Sequence, residues 1–418
     1  MTKAGFLTLL CLVFFLLPEF VSAQVQPKFE HDTVYFTSKR KNIKLPFKLV
    51  HNLIIIPVKI NDSQSLNFIL DSGVRNTLIT RLYYSDSLNL KSADKVAIRG
   101  LGSGHDIEAL YSGGNTMQMK GIQGDNHQVY VLMEDVFNLS HRMGMPVHGI
   151  IGYDIFKNFI VKINYSTKTL TLYRPDVKLK KKRKAEEFPL HIEETKAYVY
   201  GKVHQQNGDT LQVKLVLDTG ASHTVSLYLP TNERLSLPPK VMEAYLGRGL
   251  GGDIHGKIGR LNAFVLGKYE LPNLPASYPD EEAIRPALKI ANRNGNLGSD
   301  VLNRFTVILD YPHNKLTLIP NSKFKEPFNY NLAGFEISTP LPGTNLYIVS
   351  NVTENTPAKK VGIETGDQIL SINGVECKDM LLPEILDMID SRPGRKIRMR
   401  LKREHKVFDV NFVLQSRI

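Results

Sequence analysis

Cysteine is almost missing from this chain of 418 residues. There are two, Cys11 near the start and Cys377 near the end, and Cys11 lies in a stretch expected to be removed, so no intrachain disulfide can hold the fold. Stability has to come from buried cores. Long apolar runs are missing too. The stretch 6–17 is shorter than the roughly 18 to 20 residues of a membrane-crossing helix, and nothing later is longer. With Lys3 before it and Val21-Ser22-Ala23 after it, it reads as a secretory signal peptide over 1–23, so the expected setting is periplasmic or secreted. Leu10 before Cys11, where a small residue is needed, argues against a lipid attachment site. Sustained helical periodicity is scarce, with 153–158 and 283–292 the better short-helix segments.

Several catalytic signatures are also absent. No H-E-x-x-H occurs, the twelve histidines show no ligand spacing, and Leu110 stands where a G-x-S-G-G motif around Ser112 needs glycine. The lone late cysteine has no nucleophile context. Gly100, Gly102 and Gly104 fit part of a dinucleotide fingerprint, but no ribose-binding carboxylate follows at the right distance. No metal and no cofactor are expected. The formal charge of +12 is densest at 178–184, which reads as a solvated basic linker over 177–187 or as a surface for anions. Nucleic acid is not an expected partner of an exported protein.

What is present is a duplication. Phe68-Ile69-Leu70-Asp71-Ser72-Gly73 and Leu215-Val216-Leu217-Asp218-Thr219-Gly220 each set an aspartate, a hydroxyl residue and a glycine behind an apolar strand. Gly152-Tyr153-Asp154 with Phe159 and Tyr165 returns as Gly298-Ser299-Asp300 with Phe305 and Tyr311. Arg99-Gly100-Leu101-Gly102 returns as Arg248-Gly249-Leu250-Gly251. The three blocks keep their order and lie 146 to 149 positions from their twins. Ahead of each acidic triplet the pattern is strand, polar turn, strand, so two hairpins are predicted, each delivering an aspartate at its end. Two such aspartates brought face to face share one proton, one serving as base toward water and the other as acid toward a carbonyl oxygen.

These triplets resemble those of the aspartic peptidases of the pepsin and retropepsin fold. The resemblance implies a mainly β, two-lobed enzyme with Asp71 and Asp218 catalytic. It implies that Ser72 and Thr219 bond across the lobes and that Gly73 and Gly220 admit close approach of the backbone. It places flaps at Gly100, Gly102, Gly249 and Gly251. The apolar-apolar-glycine segment that braces each turn is matched by Ile150-Ile151-Gly152 and less well by Asn296-Leu297-Gly298, which implies looser packing in the second lobe.

Beyond Pro320 the texture changes to short strands with two helices. Pro357-Ala358, Gly362, Gly366-Asp367-Gln368-Ile369-Leu370 and Ile372-Asn373-Gly374 resemble a PDZ domain of the kind appended to exported bacterial peptidases. Leu332-Ala333-Gly334-Phe335 resembles the loop that holds a peptide's terminal carboxylate. The combination is similar to Bacteroidetes-type exported aspartyl peptidases with a C-terminal α+β PDZ domain. The expected layout is a signal peptide over 1–23, an N-terminal extension over 24–44, lobe 1 over 45–176, the basic linker, lobe 2 over 188–322 and the PDZ domain over 328–418. A peptide or protein is the expected substrate, and a peptide C-terminus the expected PDZ ligand. Two triplets in one chain allow a cleft within a monomer. The alternative is a non-catalytic exported protein that captures peptides in the cleft and the PDZ groove.

Overall fold

The computed structural model describes residues 33–83, 86–98, 100–102, 104, 106–289 and 292–418. The predicted signal peptide, part of the extension, Arg99 and His105 lie outside them. The protein is mainly β, with two lobes and a C-terminal module over the residues that resemble a PDZ domain, called the PDZ module below. Among the described residues no helix is long and apolar enough to cross a membrane.

Each lobe is built on the predicted hairpin. In lobe 1, Leu53–Ile60 pairs antiparallel with Leu66–Leu70. In lobe 2, Lys196–His204 pairs with Thr210–Leu217. A short brace strand then runs parallel to the second arm of each hairpin: Gly149–Ile151 beside Leu66–Leu70, and Gly295–Leu297 beside Thr210–Leu217. The apolar run at 53–56 is buried on both faces, which is why it does not alternate with polar residues. Ile54 and Ile56 enter a core shared with lobe 2, while Leu53 and Ile55, with Ile69, enter a core shared with the PDZ module.

The repeated block 152–165/298–311 joins the lobes. Its strands Ile160–Asn164 and Phe305–Asp310 pair antiparallel at the centre of a six-stranded sheet, with Lys162 opposite Ile308. Those two positions are equivalent in the two copies, so the axis relating the lobes passes between them. Two stretches read differently in the sequence supply strands. Thr33–Phe36 and Asn42–Pro46, from the supposed extension and its end, pair into lobe 1 and the joining sheet. Glu186 and Glu187, read as the end of the linker, open the strand Glu186–Pro189 in that same sheet. The PDZ module has a six-stranded sheet with Phe335–Ser338 at one edge, and helices Pro357–Lys360 and Leu382–Ile389.

Candidate active site

Asp71 and Asp218 emerge directly behind the two hairpins. The Asp71 amide donates to the Ile151 carbonyl and the Asp218 amide to the Leu297 carbonyl, both at 2.9 Å, so each brace strand fixes the backbone of its aspartate. Ser72 and Thr219 tie the turns together. Ser72 N–H donates to Thr219 Oγ1 at 2.9 Å and Thr219 N–H to Ser72 Oγ at 3.0 Å. Ser72 Oγ in turn donates to the Leu217 carbonyl at 2.7 Å, and Thr219 Oγ1 to the Leu70 carbonyl at 2.9 Å. Every bond has its counterpart across the axis, and both hydroxyl residues are buried.

The two glycines let the carboxyl groups meet. A Cβ on Gly73 would stand 3.1 Å from Asp71 Oδ1 and 3.2 Å from the Asp218 carboxyl carbon, and one on Gly220 would run into the Asp71 carboxyl group. Within its own turn, Asp71 Oδ1 accepts from Gly73 N–H at 2.6 Å and Asp218 Oδ1 from Gly220 N–H at 3.1 Å. Burial, reinforced by the negative charge of Asp218, pushes the Asp71 carboxyl up to about 8.

The second brace departs from its expected role. Asn296 is buried, and its strand packs fully, so the side chain does not loosen the lobe. Its Nδ2 donates to Asp218 Oδ2 at 2.8 Å. The amide orientation follows from its other neighbours: Asn296 Oδ1 accepts from Arg293, which can only donate, and from Tyr228 OH at 2.9 Å. Arg293 is buried, donates to Tyr228 OH at 3.0 Å and lies over the Tyr228 ring. At the Asn296 position lobe 1 has Ile150, so Asp71 has no matching donor. Lys196 Nζ adds a cation beside the pair, donating to the Gly73 carbonyl at 3.3 Å. Sequence reasoning missed Arg293, Tyr228 and Lys196, and read Asn296 only as a weak brace. Arg75, after the first triplet, is exposed.

The glycine-rich segments are hairpin tips that meet. Gly251 N–H donates to the Leu101 carbonyl at 2.7 Å, Gly104 N–H to the Gly251 carbonyl, and Gly102 N–H to the Ala283 carbonyl at 2.9 Å. Gly102 has φ of +127° with the lobe 2 tip backbone against it, a position only glycine fills without strain. The repeated leucines cross over. Leu101 packs against Tyr228 and Ile284 of lobe 2, and Leu250 against the apolar cluster of lobe 1 and the PDZ module. A cavity of about 870 Å³ lies elsewhere, between the basic linker and the joining sheet, lined in part by Lys162, Lys182 and Ile308.

In the 332–335 loop, Leu332, Ala333 and Phe335 are buried. Two of its amides are already bonded: Leu332 N–H to Asp390 Oδ1 at 3.0 Å and Gly334 N–H to Asn331 Oδ1 at 2.8 Å.

Known families bear on both parts. Residues 56–155 and 199–301 match the family model described as aspartyl protease, once for each lobe, and residues 348–403 match the one described as PDZ domain. The chain carries an aspartyl protease domain and a C-terminal PDZ domain. No curated protein matches the chain.

Proposed function

We propose that this protein is an aspartic endopeptidase that cleaves proteins or peptides with water held between Asp71 and Asp218, and that its PDZ module takes peptide C-termini. The observation that carries the reading is the meeting of the two carboxyl groups over Gly73 and Gly220. Two carboxyls in contact do not both ionise cheaply, so the pair holds one proton.

The surroundings divide the labour. Asp218 accepts from Gly220 N–H and from Asn296 Nδ2, donors that favour the anion. Asp71 accepts from Gly73 N–H and is buried against that anion. Asp218 therefore serves as base and takes a proton from the attacking water, while Asp71 gives its proton to the scissile carbonyl oxygen. Collapse of the tetrahedral diol returns a proton to the leaving amine and regenerates the pair with one proton. No covalent enzyme intermediate is involved. Both triplets lie on one chain, which supports a cleft complete in a monomer.

The test is cleavage of casein and of a mixed peptide pool by the parent, Asp71→Asn and Asp218→Asn, with and without a statine-type inhibitor. Each variant should stay folded by circular dichroism and lose turnover, and the inhibitor should silence the parent. Substantial cleavage by either folded variant rejects the assignment.

A further inference from the structure

The hairpin of lobe 1 carries apolar residues on its outer face at the end nearest Asp71. Leu53, Ile55 and Ile69 are buried there. The lobe 1 residues are covered by the PDZ module. One cluster unites Leu139, Met143 and Val147 with Phe335, Ile337, Leu382 and Ile385.

The place of contact on the module is specific. In strand-addition binding, a ligand pairs with an open edge strand and drops side chains between that strand and a neighbouring helix, with its carboxylate at the loop that precedes the strand. Here the edge strand is Phe335–Ser338, the helix is Leu382–Ile389, and the loop is 332–334. Lobe 1 meets the end of that strand and the start of that helix. Thr339 N–H, just past the edge strand, donates to the His141 carbonyl at 2.9 Å, and Gly343 N–H to the Gly144 carbonyl at 3.2 Å. A Cβ on Gly144 would stand 3.2 Å from Leu382 Cβ and 3.3 Å from Thr339 Oγ1, so this turn is wedged between the end of the strand and the first residue of the helix. At the loop, Asp390 and Asn331 hold amides where a terminal carboxylate would bind.

We infer that the peptide groove of the PDZ module is occupied by the 141–144 turn of the module's own protease lobe, and that an incoming peptide C-terminus must displace it. The partner that competes is a chain with a free carboxylate on an apolar last residue, since Phe335, Ile337 and Ile385 belong to the apolar cluster that the module shares with lobe 1 and Leu382 meets the turn itself. The inference rests on the peptide-binding reading of the module and not on the chemistry of the aspartates.

A reversible lock tests it. Gly144→Cys with Leu382→Cys puts two Cβ atoms 3.2 Å apart, near the roughly 3.8 Å of a disulfide. The full chain also carries Asp71→Asn so that captured peptides are not cut. Immobilised protein is exposed to a pool of random peptides with free C-termini, and retained peptides are identified by mass spectrometry. The reduced form should retain peptides with apolar C-termini at least about tenfold more than the oxidised form, a difference of ~1.4 kcal/mol, and their C-terminal amides should be lost. Equal retention by both forms, including none by either, overturns the inference. In the chain without the cysteine pair, amide exchange at Thr339 and Gly343 should accelerate when a retained peptide is added. Unchanged protection with peptide bound also overturns it. A protein that cleaves casein yet retains no peptide sinks this inference alone.

Discussion

Ser72 and Thr219 each bond the other's backbone amide and then a carbonyl of the opposite hairpin, so four buried hydrogen bonds cross the lobe interface within two residues. Ser72→Ala leaves Thr219 N–H and the Leu217 carbonyl without partners in a buried site. Each orphaned group costs about 1–3 kcal/mol, so the urea midpoint should fall markedly for Ser72→Ala and for Thr219→Val. Because the two hydroxyls form one network, the double variant should lose less than the sum of the singles. Additive losses would show that the turns are held independently.

Asn296 and its neighbours make the two halves of the site chemically unequal. Asn296→Ile copies the Ile150 of lobe 1 and deletes the donor to Asp218 Oδ2. A hydrogen bond to a charged group is worth about 1.5–3 kcal/mol, so turnover should fall roughly ten- to hundredfold. Unchanged turnover in a folded variant would leave Asn296 a packing residue only.

The raised Asp71 carboxyl makes stability depend on pH. In the unfolded chain the group releases its proton near 3.8, whereas the folded protein keeps it to about 8. Between those values the native state holds more protons, so the stability from this site is greatest below the lower value and fades as pH rises through the upper one. Asp71→Asn removes the titration. Relative to the parent it should gain stability between about pH 5 and about pH 9, measured by urea midpoints, and a parallel pH dependence for both proteins would contradict the shift. Peptidase activity should fade over the same alkaline limb, as the acid loses its proton.

Much of this arrangement was legible in the chain itself. Both hairpins and both triplets follow from apolar runs that end at an acid, and the brace segments follow from the resemblance to the aspartic peptidases. The unread parts share one cause, which is convergence from distant positions. Tyr228, Arg293 and Lys196 have no common spacing and become a cluster only when lobe 2 closes around Asp218. Asn296 occupies a position where the resemblance leads one to expect an apolar residue, so its amide looked like a defect. The strands Thr33–Phe36 and Asn42–Pro46 are short, and their partners Ile122–Leu132 and Thr169–Tyr173 lie far along the chain. The docking of the PDZ module left one readable trace: the unbroken apolar run at 53–56, which needs cover on both faces.

The glycines of the triplets should not tolerate alanine equally, although the sequence treats them as twins. At Gly73 an added methyl group meets carboxyl atoms at 3.1 and 3.2 Å, close enough to crowd them by a few tenths of an ångström. At Gly220 the same methyl overlaps the Asp71 carboxyl group outright, so that side chain has to leave its place. Overpacking of this kind costs about 1–3 kcal/mol in a well-packed site, and here the displaced atoms are the reacting ones. Gly220→Ala should therefore lose more than about a hundredfold in kcat with a modest drop in thermal midpoint, and Gly73→Ala clearly less. The two variants measured side by side, with equal activity losses or the reverse order, would mean that the carboxyl groups do not approach each other as the opposing glycines require.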